Sequence, residues 1–116
     1  MNKELINEYI ALPMAIKVFR QDRETFATFK LGNLYQDKLD ATIEKMKEDF
    51  YAIKKELLTK HHTEIKRIDQ CKYNVNGKIV EYSPGDLKAT TGEIMRDYLY
   101  GGKAVIFERT DRIRNN

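Results

Sequence analysis

From Asn33 to Asn76 the chain contains neither glycine nor proline, and within this run Leu39, Ile43, Met46, Phe50, Ile53 and Leu57 step by four, three, four, three and four. Such spacing is an apolar heptad seam on one face of a helix. Its flanks are charged, with Asp40, Glu44, Lys45, Lys47, Glu48, Asp49, Lys54, Lys55 and Glu56, as a face turned to water requires. Beyond Leu57 the seam slips by one residue and continues through Leu58, His61, Ile65 and Ile68, a shift that unwinds a supercoil locally. The pattern predicts a long helix over about 34–69.

At ~1.5 Å per residue that helix would be about 54 Å long, whereas a compact chain of 116 residues has a radius of gyration of only about 13 Å. Either the rod projects and buries its stripe against a second copy, or it breaks near the slip. In the first case Leu39, Ile43, Met46, Phe50, Ile53, Leu57, Leu58, His61, Ile65 and Ile68 form an oligomer interface, most simply of a dimer. The alternative to such an assembly is an intramolecular antiparallel hairpin, with residues 3–31 folding back along the first two-thirds of the long helix. The projecting rod is the expectation carried forward, and a seam histidine at position 61 would make association sensitive to pH.

The flanking segments complete a mainly α architecture with a small antiparallel β element, an α+β fold in a single domain over 1–116. Leu5, Tyr9, Leu12, Ile16 and Phe19 mark one helical face between Lys3 and Arg20, with Pro13 expected to kink or restart the helix. The helical pattern continues through Phe26 and Phe29 until Gly32-Asn33 stops it. Residues 1–70 thus read as a helical stalk or hairpin, and 71–108 as a small α+β part. Within the latter, period-two alternation on both sides of Asn76-Gly77 predicts a type I′ hairpin over 72–82. Ser83-Pro84-Gly85-Asp86 reads as a turn. Thr90-Thr91-Gly92-Glu93 reads as a capping box opening a helix over about 91–100. Ala104-Val105-Ile106-Phe107 suggests a strand over about 104–108, and 109–116 a basic tail.

Composition narrows the functional classes. No window approaches the ~20 apolar residues of a membrane span. The first residues carry Glu4 and Glu8 where an export signal would be basic and then apolar, and the single Cys71 suits a reducing compartment. The expected location is cytoplasmic. His61, His62 and Glu64 are the one grouping that invites a metal, but His62 points about 100° away from the other two and no second cluster completes a site. Tyr100-Gly101-Gly102-Lys103 lacks the spacing of a phosphate loop. No nucleophile stands beside a base. The expectation is a non-catalytic protein without cofactor or metal.

Charge supplies the alternative. Residues 1–50 carry net −1 and residues 51–116 net +4. Lys54, Lys55, Lys60, Lys66 and Arg67 lie in the second half of the long helix, and Lys103, Arg109, Arg112 and Arg114 near the C-terminal end. With Tyr73, Tyr82, Tyr98 and Tyr100 they could present a basic, aromatic surface to nucleic acid. The leading expectation is an interaction protein that self-associates through the long helix and binds a macromolecular partner; the alternative is a nucleic-acid-binding or regulatory protein using the basic second half.

Overall fold

The computed structural model of the chain describes residues 3–26 and 32–104. Three helices and a three-stranded antiparallel sheet follow one another as α1 (Lys3–Phe26), α2 (Gly32–Thr59), β1 (Ile65–Arg67), β2 (Lys72–Val75), β3 (Lys78–Glu81) and α3 (Pro84–Leu99). The α+β class is as the sequence predicts. No described helix is long and apolar enough to cross a membrane. The expected strand at 104–108 and the basic tail at 109–116 fall outside the described residues, apart from Ala104, which is not in a strand.

α1 is the central element. Ile6, Ile10, Ala11, Leu12, Ala15, Ile16 and Phe19 are all buried, a band wider than the single stripe of a helix covered from one side only. Ala11 and Ala15 are fully buried, and such short side chains let neighbouring elements approach closely. Pro13 lies on the exposed side and neither ends nor restarts the helix.

α2 lies against α1, and its seam goes there. Leu39, Ile43, Met46, Ile53 and Leu57 are buried in the same core as Ile10, Ile16 and Phe19. Half-buried Phe50 stacks on Tyr9 with ring centroids 5.0 Å apart. Arg23 donates from Nε and Nη2 to the two carboxylate oxygens of Asp40, at 2.6 and 3.2 Å, at the end of the hairpin away from the sheet. The long stripe is therefore sheltered within one chain, and the projecting rod gives way to the hairpin.

The helix also stops earlier than its periodicity implies. It ends at Thr59, and the later members of the expected seam disperse. Leu58 is 47% exposed, His61 is exposed, Ile65 enters β1, and Ile68 is 53% exposed just beyond β1. His61 therefore sits between no helices. The stop uses neither glycine nor proline. Instead the Thr63 amide donates back to the Leu57 carbonyl at 2.7 Å, and His62 takes a left-handed backbone, φ 50°. Asn76 holds this bend from across the sheet: its Nδ2 donates to the His62 carbonyl at 3.1 Å, and its Oδ1 accepts from the Glu64 amide at 2.8 Å. Of the carbonyls freed at the helix end, Glu56 accepts from the Lys60 amide at 2.9 Å and Leu57 from Thr63, while the distant Asn76 side chain holds the bend that follows.

β2 is the middle strand, in the order β1-β2-β3. Asn76 and Gly77, at φ 53° and 86°, make the predicted two-residue turn. The third strand comes from residues 65–67, which the sequence pattern assigned to the helix. Asp69 makes that return possible, since its Oδ1 accepts from the amides of Cys71 and Lys72, both at 2.8 Å. One sheet face, with Tyr73 and Val75 buried, packs on the helices.

α3 begins at Pro84 rather than near residue 91. Ser83 is its N-cap, with its hydroxyl accepting from the Asp86 amide at 3.0 Å, and Pro84 occupies the first turn, where its missing amide costs nothing. A segment that reads as a turn is thus the start of the helix. Leu87, Thr91, Ile94 and Tyr98 bury the inner face.

Three substitutions at two positions test these local arguments by thermal or denaturant unfolding. Asn76→Ala should destabilise by about 2 kcal/mol, from a strained left-handed alanine and two lost hydrogen bonds, while Asn76→Gly keeps the turn and should lose about 1 kcal/mol. Gly92 lies inside α3 with open space where a Cβ would stand, so Gly92→Ala should stabilise by about 0.5–1 kcal/mol.

Candidate functional site

The sheet leaves two open edges, and its hydrogen bonding determines which groups those edges offer. In β1 the Asn76 amide donates to the Glu64 carbonyl at 3.0 Å and the Ile68 amide to the Lys72 carbonyl at 2.9 Å. Alternation along an antiparallel pair then turns residues 64, 66 and 68 toward β2, and the N–H and C=O of Ile65 and Arg67 outward. No described residue takes up these outward groups.

Beside this edge runs a groove made of three adjoining hollows. The first, about 250 Å³, is lined by Tyr9, Lys54, Leu58, Thr63, Glu64 and Ile65. The second, about 390 Å³, shares Tyr9 and Ile65 and adds Pro13, Lys17, Phe50 and Arg67. The third, about 600 Å³ and the most apolar, shares Met14 and Arg67 with the second and adds Val18, Cys71, Leu87, Lys88 and Met95. The floor is thus aromatic and aliphatic. Lys17, Lys54, Arg67 and Lys88 are the cations along it, and the carboxylate of Glu64 lies 3.5 Å from Lys66. Ile65 and Arg67 lie opposite Val75 and Tyr73 in the ladder, so their side chains share the helix-facing side of the sheet and line this groove.

The expected basic, aromatic surface is not assembled as one patch. Lys54 and Arg67 reach the groove, whereas Lys66 is on the opposite sheet face, across from Asn74. Lys60 pairs with Glu56 at 3.7 Å, and Lys55 is exposed on α2 without lining the groove. Lys103 is bound to Glu8 at 3.1 Å near the end of α3; Arg109, Arg112 and Arg114 lie outside the described residues. Tyr73 and Tyr98 are buried, so half of the expected stacking platform faces inward. His61 and His62 are both exposed, and among the described residues no three His, Cys, Asp or Glu side chains gather as metal ligands would.

What the tyrosines do is hold the elements in register. The Tyr98 hydroxyl donates to Asp49 Oδ2 at 2.6 Å, joining α3 to α2, with Lys45 and Lys103 at 6.0 and 5.5 Å from its ring centroid. Tyr82 donates to Asn7 Oδ1 at 3.0 Å, joining the end of the sheet to α1. Burial, and then the hydrogen bond and charge of Asp49, raise the Tyr98 pKa far above the ordinary phenol value.

A family model described as YhjD protein matches residues 1–103. The chain belongs to the YhjD protein family. The match takes in all three helices, the sheet and the whole groove. No curated protein and no solved structure matches the chain.

The sequence could not announce Lys17, Lys88, Met14 or Met95 as partners of Arg67, because they arrive from α1 and α3 by packing alone. Asp69 was the available signal: a short polar side chain able to cap its own following amides marks a turn, and hence a strand before it. The Tyr98 bond gives a test by pH. Because its folded pKa lies above the unfolded value of about 10, stability is intact below pH 10 and falls as pH rises above that value, when the unfolded chain ionises first. Tyr98→Phe should cost about 2 kcal/mol at pH 7 and flatten that alkaline loss in urea titrations.

Proposed function

We propose that this protein is a non-catalytic interaction module that holds an extended polypeptide along the open edge of β1. The observation that carries the reading is the pairing of two outward-facing backbone positions, Ile65 and Arg67, with an apolar groove flanked by Lys17, Lys54, Arg67 and Lys88. An added strand would satisfy those backbone groups, and alternate side chains would enter the groove, which is how sheet edges recognise peptides. The cations select for acidic residues, and the aromatic and aliphatic floor selects for apolar ones. The seam of α2 is not the contact surface in this reading, because its apolar residues are already buried on α1. A cytosolic setting, where the half-buried Cys71 thiol stays reduced, is part of the proposal.

Nucleic acid would use the same cations, but the buried Tyr73 and Tyr98 favour a peptide over stacked bases. Fluorescence anisotropy with labelled peptides separates the two. A peptide alternating valine and glutamate should bind at low ionic strength, and Arg67→Glu should weaken it at least about tenfold, a loss near 1.4 kcal/mol. Lys66→Glu, on the other sheet face, should leave affinity within about twofold. Equal binding of a valine–lysine peptide, or binding of single-stranded oligonucleotide but not of the acidic peptide, would overturn the proposal.

A further inference from the structure

The opposite edge of the sheet has the reverse chemistry. The Tyr82 amide donates to the Cys71 carbonyl at 2.8 Å, so by the same alternation residues 80 and 82 turn toward β2 and the N–H and C=O of Ile79 and Glu81 face outward. Beside them lie two adjoining hollows of about 640 and 470 Å³ that share Lys3, Asn7, Thr90 and Glu93. Glu4, Glu8, Glu81, Asp86, Glu93 and Asp97 line them, with Lys3 as the lining cation. One sheet thus ends in a basic groove at β1 and an acidic one at β3.

We infer that the polypeptide held at β1 is the β3 edge of a second copy of this chain, so that copies join edge to edge. The inference rests on the β1-groove reading and names its occupant. Three features argue for it. First, both edges present outward backbone positions two residues apart, 65 and 67 on one and 79 and 81 on the other, so their hydrogen-bonding groups have the same spacing. Second, the side chains meet correctly. Residues directly opposite each other in a ladder point to the same face. Ile65 and Arg67 belong to the helix-facing side of the sheet, whereas Ile79 lies opposite Asn74, and Glu81 opposite Lys72, on the other side. Joining the edges antiparallel therefore turns the second copy over and puts its Ile79 and Glu81 on the groove side of the first. Ile79 is 55% exposed in the single chain; there it lies opposite Arg67 over the groove, with Glu81 opposite Ile65 and diagonally beside Arg67. The helices of the two copies then lie on opposite faces of the shared sheet and do not collide.

Third, the charges forbid the competing arrangements. Charged residues on edge strands normally prevent sheets from joining. On the strands themselves β1 against β1 sets Arg67 beside Arg67, and β3 against β3 sets Glu81 beside Glu81, so only β1 against β3 puts opposite charges together; the remaining hollow carboxylates lie on the helix side of the second copy, away from the groove. A head-to-tail contact of this kind does not close on itself after two copies, so assembly continues into short open chains.

Light scattering coupled to size exclusion tests this with the full chain. The expected result is a mass above that of one chain, rising with concentration at low ionic strength and returning toward monomer near ~0.5 M salt, where surface charges are screened over a few Å. Arg67→Glu puts carboxylates on both facing strands, and Glu81→Lys puts cations on both. Each variant should be monomeric at low salt with an unchanged circular-dichroism spectrum, and mixing the two should restore assembly. A wild-type chain that stays monomeric throughout, or variants that associate as well as wild type, would overturn the inference. If the valine–glutamate peptide still binds in that case, the groove reading stands without it; if neither peptide nor copy binds, both fall.

Discussion

The burial of α1 on every side but one organises this molecule. A helix with Ile6, Ile10, Leu12, Ile16 and Phe19 all out of water cannot stand at a surface, because each such side chain contributes roughly 1.5–3 kcal/mol when removed from solvent. It needs α2 along one flank and α3 with the sheet along the other. That demand absorbs the heptad seam of α2, which would otherwise have to find a second chain. The molecule stays elongated, 54 × 28 × 20 Å with a radius of gyration of 16.4 Å, because its longest element is clothed by one antiparallel neighbour rather than wrapped.

Around that core, a few polar bonds fix orientation. Apolar contact is non-directional, so it does not by itself select one crossing of α3 over α1. The Tyr98–Asp49 and Tyr82–Asn7 bonds do, since each joins a unique donor to a unique acceptor between elements far apart in the chain. Asn76 plays the same part for the turn after α2. These bonds determine where the sheet sits, and the position of the sheet determines what its edges overlook. β1 comes to rest beside a groove floored by α1 and flanked by cations; β3 comes to rest beside carboxylates of α1 and α3. The proposed interaction role follows from this placement rather than from any motif.

Much of the fold was legible in the residues. The Asn76-Gly77 turn read directly because few residue pairs tolerate two positive φ angles in succession. The α1 and α2 faces read from periodicity, and Gly32 marked the region where α2 begins. The errors have physical causes. Ile65 and Ile68 continue a helical spacing by coincidence, since a three-residue strand is too short for period two to declare itself. The stop at Thr59 carried no glycine because Asn76, far along the chain, stabilises the left-handed His62. Pro84 and Gly85 resemble a turn in isolation, and only the Ser83 cap shows that the proline is a helix opener. The basic residues were visible as a count, but not which of them would share a groove.

The sequence by itself determined the local code: which segments are helical, where the chain must turn tightly, and that a long apolar stripe had to be covered by something. Only the tertiary structure decided what covers it. A periodic stripe states the area that must leave water but not the identity of the surface that replaces it, and here α1 lay within reach in the same chain at the lowest entropic cost. By the same reasoning the opposite charges at the two sheet edges exist only after folding, because they are gathered from three helices and two strands that no linear pattern connects.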